Sequence, residues 1–237
     1  MSGPGARLRV VTWNVHACIG SAGRFDPDAV VAAVQALEPD IVALQEIDAR
    51  EEAAGDVDTF AYLRHALGWR AAEARTIRGD SGDYGHLVLS PWRIEAARTL
   101  DLSIEGFEPR AAIGCEIPEL GVRVLATHLG LRARERHRQI GAMAEEIDRP
   151  GAPPLIVLGD LNEWRRRGVA TRVLCPPLRE AATLASFPAW RPFFALDRIW
   201  CEPPLEPLTS EAAVHMAHLS DHLPIVAELR FADPSGD

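Results

Sequence analysis

The chain has 237 residues, 47 % apolar and 25 % charged, which supports a sizeable core and one large domain rather than two. Its net charge of −9 argues against a broad, nonspecific grip on nucleic acid, while leaving room for a local basic groove. All 25 fixed positive charges are arginine, so Schiff-base lysine chemistry and a P-loop lysine are excluded.

The N-terminus, MSGPGARLRVV, runs straight into a strand-like segment without the apolar region of a signal peptide. No apolar run reaches membrane-spanning length, so a soluble, cytoplasmic, monomeric protein is the expectation. Strand-like runs rich in Val, Ile and Leu follow at 8–15, 41–45, 87–90, 112–117, 122–127, 155–158, 195–200 and 224–231. Between them Asp26-Pro27 opens a helix with Val30, Val31, Val34 and Leu37 at helical spacing. Residues 58–67 and 133–147 read as two further helices, the latter ended by Pro150-Gly151, and 171–174 belongs to a short fourth. The Pro-rich stretch 202–207 reads as a loop before a last hairpin. Early alternation of strands and helices, then strand pairs, fits two sheets packed face to face with helices outside. Residues 1–6 and 232–237 read as flexible tails of a single domain. The four cysteines, Cys18, Cys115, Cys175 and Cys201, form no C-x-x-C pair and read as small buried hydrophobes in a reducing compartment.

A polar residue sits at the tip of one strand after another. The first ends Thr12-Trp13-Asn14, the second Leu44-Gln45-Glu46, another Ala126-Thr127-His128, the next Gly159-Asp160-Leu161-Asn162, and Ser220-Asp221-His222 precedes the last. Any one of these is ordinary turn chemistry. Five in chain order converge on one pocket if the tips share an edge. On an extended chain Asp160 and Asn162 share a face. The oxygen-rich set suits Mg²⁺ or Mn²⁺ and lacks the Cys or clustered His of structural zinc.

TWNV, LQE, THL, GDLNEW, LDRIW and LSDHLP, in this order from about Val10 to Phe231, resemble the endonuclease/exonuclease/phosphatase (DNase I-like) superfamily. That group includes DNase I-like nucleases, exonuclease III-like AP endonucleases, inositol phosphate phosphatases and neutral sphingomyelinases. The chain is most similar to compact bacterial members with HLGLR (128–132) and GD-N-WR (159–165) segments. The resemblance implies a four-layer α/β/β/α sandwich, two packed mixed β-sheets flanked by helices. It implies Glu46 as the principal Mg²⁺ (or Mn²⁺) ligand, with Asn14 and Asp221 assisting. It further implies Asp160 as the residue orienting or deprotonating water, and Asn162 as a donor to a non-bridging oxygen. His222, held by Asp197, would contact the phosphate, and His128 would protonate the leaving group.

Arg110 and Arg132 are candidate phosphate contacts, with surface salt bridges as the competing reading. His86 stands where many relatives carry the asparagine of GNAILS, and counts as a third candidate substrate contact. His16, two residues after Asn14, reads more readily as a structural histidine. The two basic clusters are Arg165, Arg166 and Arg167 behind Trp164, and Arg134, Arg136 and Arg138, the latter read as a solvated helix face.

The activity implied is a metal-dependent hydrolase of phosphate ester bonds, acting on phosphodiesters and nuclease-like. A phospholipid or sphingomyelin-type phosphodiesterase is the nearest alternative, with FPAWRPFF (187–194) as the candidate membrane-facing loop. A phosphomonoesterase and a non-catalytic phosphate-binding member stay open. The expected partner is a phosphate-ester substrate, whether nucleic acid or phospholipid head group.

Overall fold

Side chains on a strand alternate between two faces, and that period decides how this chain is layered. The computed structural model describes residues 6–165 and 167–232. Its strands are β1 Arg7–Asn14, β2 Ile41–Asp48, β3 Arg70–Gly79, β4 Gly82–Ser90, β5 Glu95–Asp101, β6 Ala111–Ile117, β7 Val122–His128, β8 Leu155–Asp160, β9 Arg179–Thr183, β10 Asp197–Cys201, β11 Leu205–Ala212 and β12 Ile225–Phe231. The helices are α1 Pro27–Leu37, α2 Glu51–Ala54, α3 Thr59–Leu67, α4 Ala133–Ala142, α5 Ala144–Ile147 and α6 Val169–Leu174. Two six-stranded sheets result, ordered β11-β12-β1-β2-β4-β3 and β5-β6-β7-β8-β10-β9. Each is mixed: β1/β2 and β7/β8 are parallel, and the other pairings are antiparallel.

One face of each sheet meets the other. Val10, Ile41, Ala43 and Val88 pack there against Ile113, Val124, Ala126, Ile156, Leu158 and Ile199. The opposite faces take the helices. Val11, Trp13, Val42 and Leu44 pack under α1 and α3, and Leu125, Val157 and Trp200 under α4 and α6. The chain is thus an α/β/β/α sandwich. Asp26 caps α1 by accepting the Ala29 N–H (3.1 Å), and Asp58 caps α3 through the N–H groups of Phe60 and Ala61, which fixes both helix starts.

Three readings from the sequence are corrected. The helix over 133–147 breaks at Met143 into α4 and α5. The 202–207 stretch is not all loop: β11 starts at Leu205 and carries Pro207 beside a bulge, tolerated because β11 is a sheet edge. Ala6 and Ala232, read from the sequence as parts of flexible tails, are both bonded to the fold. The Ala6 carbonyl accepts the Phe231 N–H (3.3 Å), and the Ala232 N–H donates to Pro204 (2.8 Å). Residues 1–5 and 233–237 lie outside the described residues.

The inter-sheet faces turn polar at one end of the sandwich. Continuing each inward register leads from Val10 to Asn14, from Val88 to His86 and Tyr84, from Val124 to His128, from Ile156 to Asp160, and from Ile199 to Asp197. Gly159 lets β7 and β8 close there. Its φ is +147°, and a Cβ would lie 1.9 Å from the Thr127 carbonyl oxygen. Gly159→Ala should therefore destabilise the protein by about 3 kcal/mol or more. At this chain length that is a fall of roughly 6–12 °C in the melting midpoint, checked by calorimetry. An unchanged midpoint would contradict the close-approach argument.

Candidate active site

Asp160, at the end of β8, is the hub. Its Oδ2 accepts the Asn14 side-chain amide from the other sheet (3.1 Å) and lies 3.6 Å from His128 Nε2 and 3.9 Å from His222 Nε2. The same Asn14 Nδ2 donates to Glu46 Oε1 (2.8 Å), while Asn14 Oδ1 accepts the His16 N–H (3.1 Å). Asn14 is thus placed as the donor that holds two carboxylates together. Glu46 reaches the pocket through a bulge. The β2/β4 register slips between Leu44 and Ile47, and Glu46 has φ +57°. Strict alternation would have sent it to the helix side. Left-handed backbone at a non-glycine residue costs about 1–3 kcal/mol, so the surrounding bonds must over-determine it.

Asn162 also departs from the extended geometry read from the sequence. Its φ is +49°, and its N–H closes a turn onto Asp160 Oδ1 (2.9 Å). The side chain still joins the site, with Nδ2 donating to the Leu129 carbonyl (2.9 Å) and lying 3.2 Å from His128 Nε2. Opposite, His222 Nδ1 donates to Asp197 Oδ2 (2.7 Å), with Asp197 fully buried on β10. Phe187 packs on the His222 ring at 4.8 Å, and Trp13 Nε1 donates to the His222 carbonyl (3.0 Å). Asp221 stays at the rim, with Oδ1 3.6 Å from His16 Nδ1.

Charge follows from this packing. Burial and the nearby Asp197 charge raise Asp160 to about 6. Burial alone would lower His222, but Asp197, Asp160 and Asp221 outweigh it and raise the imidazole to about 10. Burial, then Arg110, push His128 down to about 3. Burial works against the Glu46 carboxylate, yet His16, His128 and Asn14 hold it at about 2. Glu46, Asp160, Asp197 and Asp221 thus face one charged imidazole, His222, with His16 at the rim also raised, by Glu46 first. A surplus of carboxylate oxygen over a half-open rim fits a divalent cation, which takes one or two carboxylates and keeps several waters. Glu46, His128 and Asp160 offer ligand atoms within 4.8 Å of one another.

The remaining candidates separate. Arg110 is buried, ion-paired to Glu108, and lines a small cavity with Tyr84, His86 and His128. His86 is only 2 % exposed, with Nε2 unpartnered, so it lies beside His128 and not at the mouth. Arg132 is exposed, with its guanidinium 5.7 Å from the Phe107 ring centroid. Arg136 is not on a solvated face. It is 4 % exposed and donates to the Leu131 carbonyl (2.7 Å), while Arg134 and Arg138 are exposed. Arg166 lies outside the described residues; Arg165 and Arg167 are exposed. Sequence reasoning missed Tyr84, whose only signal is its register two residues before His86. It also missed Arg198, which is fully buried and donates to the carbonyls of Ala195 (2.8 Å), Glu163 (2.7 Å) and Arg165 (3.1 Å), pinning the loop after Asn162.

His86 gives a stability test. Burial, then Arg110, lower its imidazole to about 4 from 6.5. Between these values the unfolded chain binds the proton and the folded chain does not. The stability of the neutral buried form is therefore complete above pH 6.5 and declines as pH falls toward 4. His86→Asn should flatten this decline, as read by urea unfolding at pH 6.5 and pH 4. An unchanged pH dependence would contradict the placement of a neutral, buried His86.

Comparison with known proteins bears on the family and the fold. The profile of the Endonuclease/Exonuclease/phosphatase family matches residues 11–222. The Escherichia coli K12 protein YbhP, itself uncharacterized, is 30 % identical over 94 % of this chain and 96 % of its own length. Among solved structures, an endonuclease/exonuclease/phosphatase from Beutenbergia cavernae superposes with a TM-score of 0.78 at 20 % identity, over 95 % of this chain and 72 % of that one. The Bacteroides thetaiotaomicron mannosyl-6-phosphatase Bt3783 superposes at 0.76 and 17 % identity, over 94 % of this chain and all (100 %) of its own. The chain belongs to the endonuclease/exonuclease/phosphatase family.

Proposed function

We propose that this protein is a divalent-metal-dependent phosphodiesterase, nuclease-like, that cleaves its substrate by in-line attack of water. The observation that carries the reading is the Asp160 carboxylate, bonded to Asn14 and facing both His128 and the His222–Asp197 pair. Water attacks phosphorus as the bond to the leaving oxygen breaks. Asp160 orients the water and takes its proton, a role its raised affinity for protons favours. His222, kept charged by Asp197, aims Nε2 into the pocket and stabilises the negative charge growing on a non-bridging oxygen. Glu46 and Asp221 would hold the cation (Mg²⁺ or Mn²⁺), with Asn14 fixing the Glu46 carboxylate. When bound, the metal supplies Lewis-acid stabilisation of phosphoryl and leaving-group charge.

His128 takes a different part from the acid first expected. The Asn162 amide aims a donor at its Nε2, and burial with Arg110 favours the neutral ring. In our reading it accepts that bond and fixes Asn162 beside the phosphate.

One observation favours a second reading, a lipid-directed phosphodiesterase. Trp190 and Phe193, on the loop that packs Phe187 against His222, are each 78 % exposed, and Trp164 stacks near Phe194 at 4.7 Å. Aromatic side chains standing out beside a site suit a membrane interface. Trp190→Ala with Phe193→Ala should leave turnover of a small soluble diester within about twofold. The lipid reading expects turnover of vesicle phospholipid to fall at least about tenfold. Equal effects on both substrates would remove the lipid reading.

The primary test is hydrolysis of bis-p-nitrophenyl phosphate and of the mono-ester analogue by wild type, Asp160→Ala and His222→Ala, with Mg²⁺, Mn²⁺ or EDTA. The expected result is diester turnover that requires metal and falls about 10²–10⁴-fold in either variant. Turnover that survives EDTA or Asp160→Ala would overturn the assignment. Turnover of the mono-ester alone would replace the diester reading with a phosphatase.

A further inference from the structure

Glu163 follows Asn162 in the loop that leaves β8, where an acid ordinarily faces solvent, yet it is only 4 % exposed. Its carboxylate meets donors on both oxygens. Oε1 accepts the Arg165 N–H (3.2 Å) and is ion-paired with Arg136 Nη2 (3.5 Å), and Oε2 accepts the Val169 N–H (3.0 Å) at the start of α6. The loop leaves room for it: a Cβ at Gly168 would lie 1.9 Å from the Glu163 carboxyl carbon. A glutamine has one oxygen and would turn its NH₂ donors toward one of these donors.

Arg136, also buried, links this carboxylate to the neighbouring loop. Its Nη1 donates to the carbonyls of Leu131 (2.7 Å) and Gly130 (3.2 Å), in the chain that leaves His128. The Asn162 amide makes a second link between the same two loops, with Nδ2 donating to the Leu129 carbonyl (2.9 Å) and lying 3.2 Å from His128 Nε2. A closed circuit results. It runs from the Asn162 side chain to Leu129, along the chain to Leu131, through the guanidinium to Glu163, and back along the chain to Asn162. The left-handed backbone of Asn162 (φ +49°) is costly and persists only where neighbouring bonds over-determine it.

We propose that the buried Glu163–Arg136 pair positions Asn162, holding its amide against His128 and so beside the phosphate. The inference rests on the phosphodiesterase reading above and goes beyond it by giving two residues that touch neither metal nor substrate a part in turnover. A buried carboxylate–guanidinium pair holds one geometry, because either charge left without the other is strongly disfavoured. Displacing a substrate-facing group by about 1 Å can cost on the order of 10²-fold in rate.

The chain has two asparagines, Asn14 and Asn162, so asparagine-selective ¹⁵N labelling gives two side-chain amide signals, one serving as control for the other. Glu163→Gln and, as a second variant, Arg136→Lys should shift the Asn162 amide and speed its hydrogen exchange by about tenfold or more, with the Asn14 amide unmoved. With bis-p-nitrophenyl phosphate and Mg²⁺ or Mn²⁺, each variant should lower kcat by about tenfold and leave KM within about threefold. Made on an Asn162→Ala background, either change should lower kcat by less than about twofold further. Unchanged kcat, equal losses in both backgrounds, or an Asn162 amide that stays in place in the folded variants would overturn the proposal and leave the pair a structural support alone. Wild type whose Asn162 amide behaves as expected but which shows no metal-dependent diester turnover would instead overturn the phosphodiesterase reading.

Discussion

The hydrogen bond from the Asn14 amide on β1 to the Asp160 carboxylate on β8 ties the two sheets together at their polar end. Elsewhere the inward faces are joined by apolar contact, which is strong but non-directional. Here the contact has direction, and it decides where the pocket lies. Asn14 brings Glu46 to within the same amide's reach, so one side chain sets the separation of two carboxylates from different sheets. Both residues are buried or half-buried, where a lost partner leaves an unsatisfied polar group and a heavy penalty.

The site is the continuation of the core by other residue types. Val10, Val124, Ile156 and Ile199 fill the space between the sheets, and the same registers extended outward give Asn14, His128, Asp160 and Asp197. Rigid strands therefore aim the catalytic candidates, while loops supply the rim, where Asp221 and His16 lie. Arg198 and Arg136 act one layer back. Their donors satisfy carbonyls of the loops that carry Glu163 and Leu131, which fixes the path of the chain leaving Asn162. The pairing of a buried, charge-rich floor with a half-open rim suits the cation and the phosphate of the proposed function.

Much of this was legible in the sequence because the central strands obey period two with apolar inward faces. The strands that periodicity did not reveal, β3, β5, β9 and β11, are the four sheet edges. Edge strands carry charge and proline that discourage further pairing, as Arg70, Glu73, Glu95, Arg98 and Pro207 do here, and this hides the apolar signal. At the site, alternation leads to His128 and Asp160 but not to Glu46 or Asn162, because both depend on left-handed backbone that no spacing encodes. The position of His16 at the rim was hidden for the same reason: its left-handed turn docks against the loop carrying His218 and Ser220, about 200 positions away. Arg198 was invisible because a buried arginine looks like any surface one until its carbonyl partners are known.

In the proposed function, residues from both sheets form one phosphate and metal site around Asp160. The most direct measurement is anomalous diffraction from crystals grown with Mn²⁺ and a slowly hydrolysed phosphorothioate diester. The expected result is a manganese peak bound by Glu46, with the phosphorothioate lying between that peak and His222 and within reach of Asp160. Manganese bound away from Glu46, or a phosphorothioate seated where Asp160 and His222 do not touch it, would contradict the account.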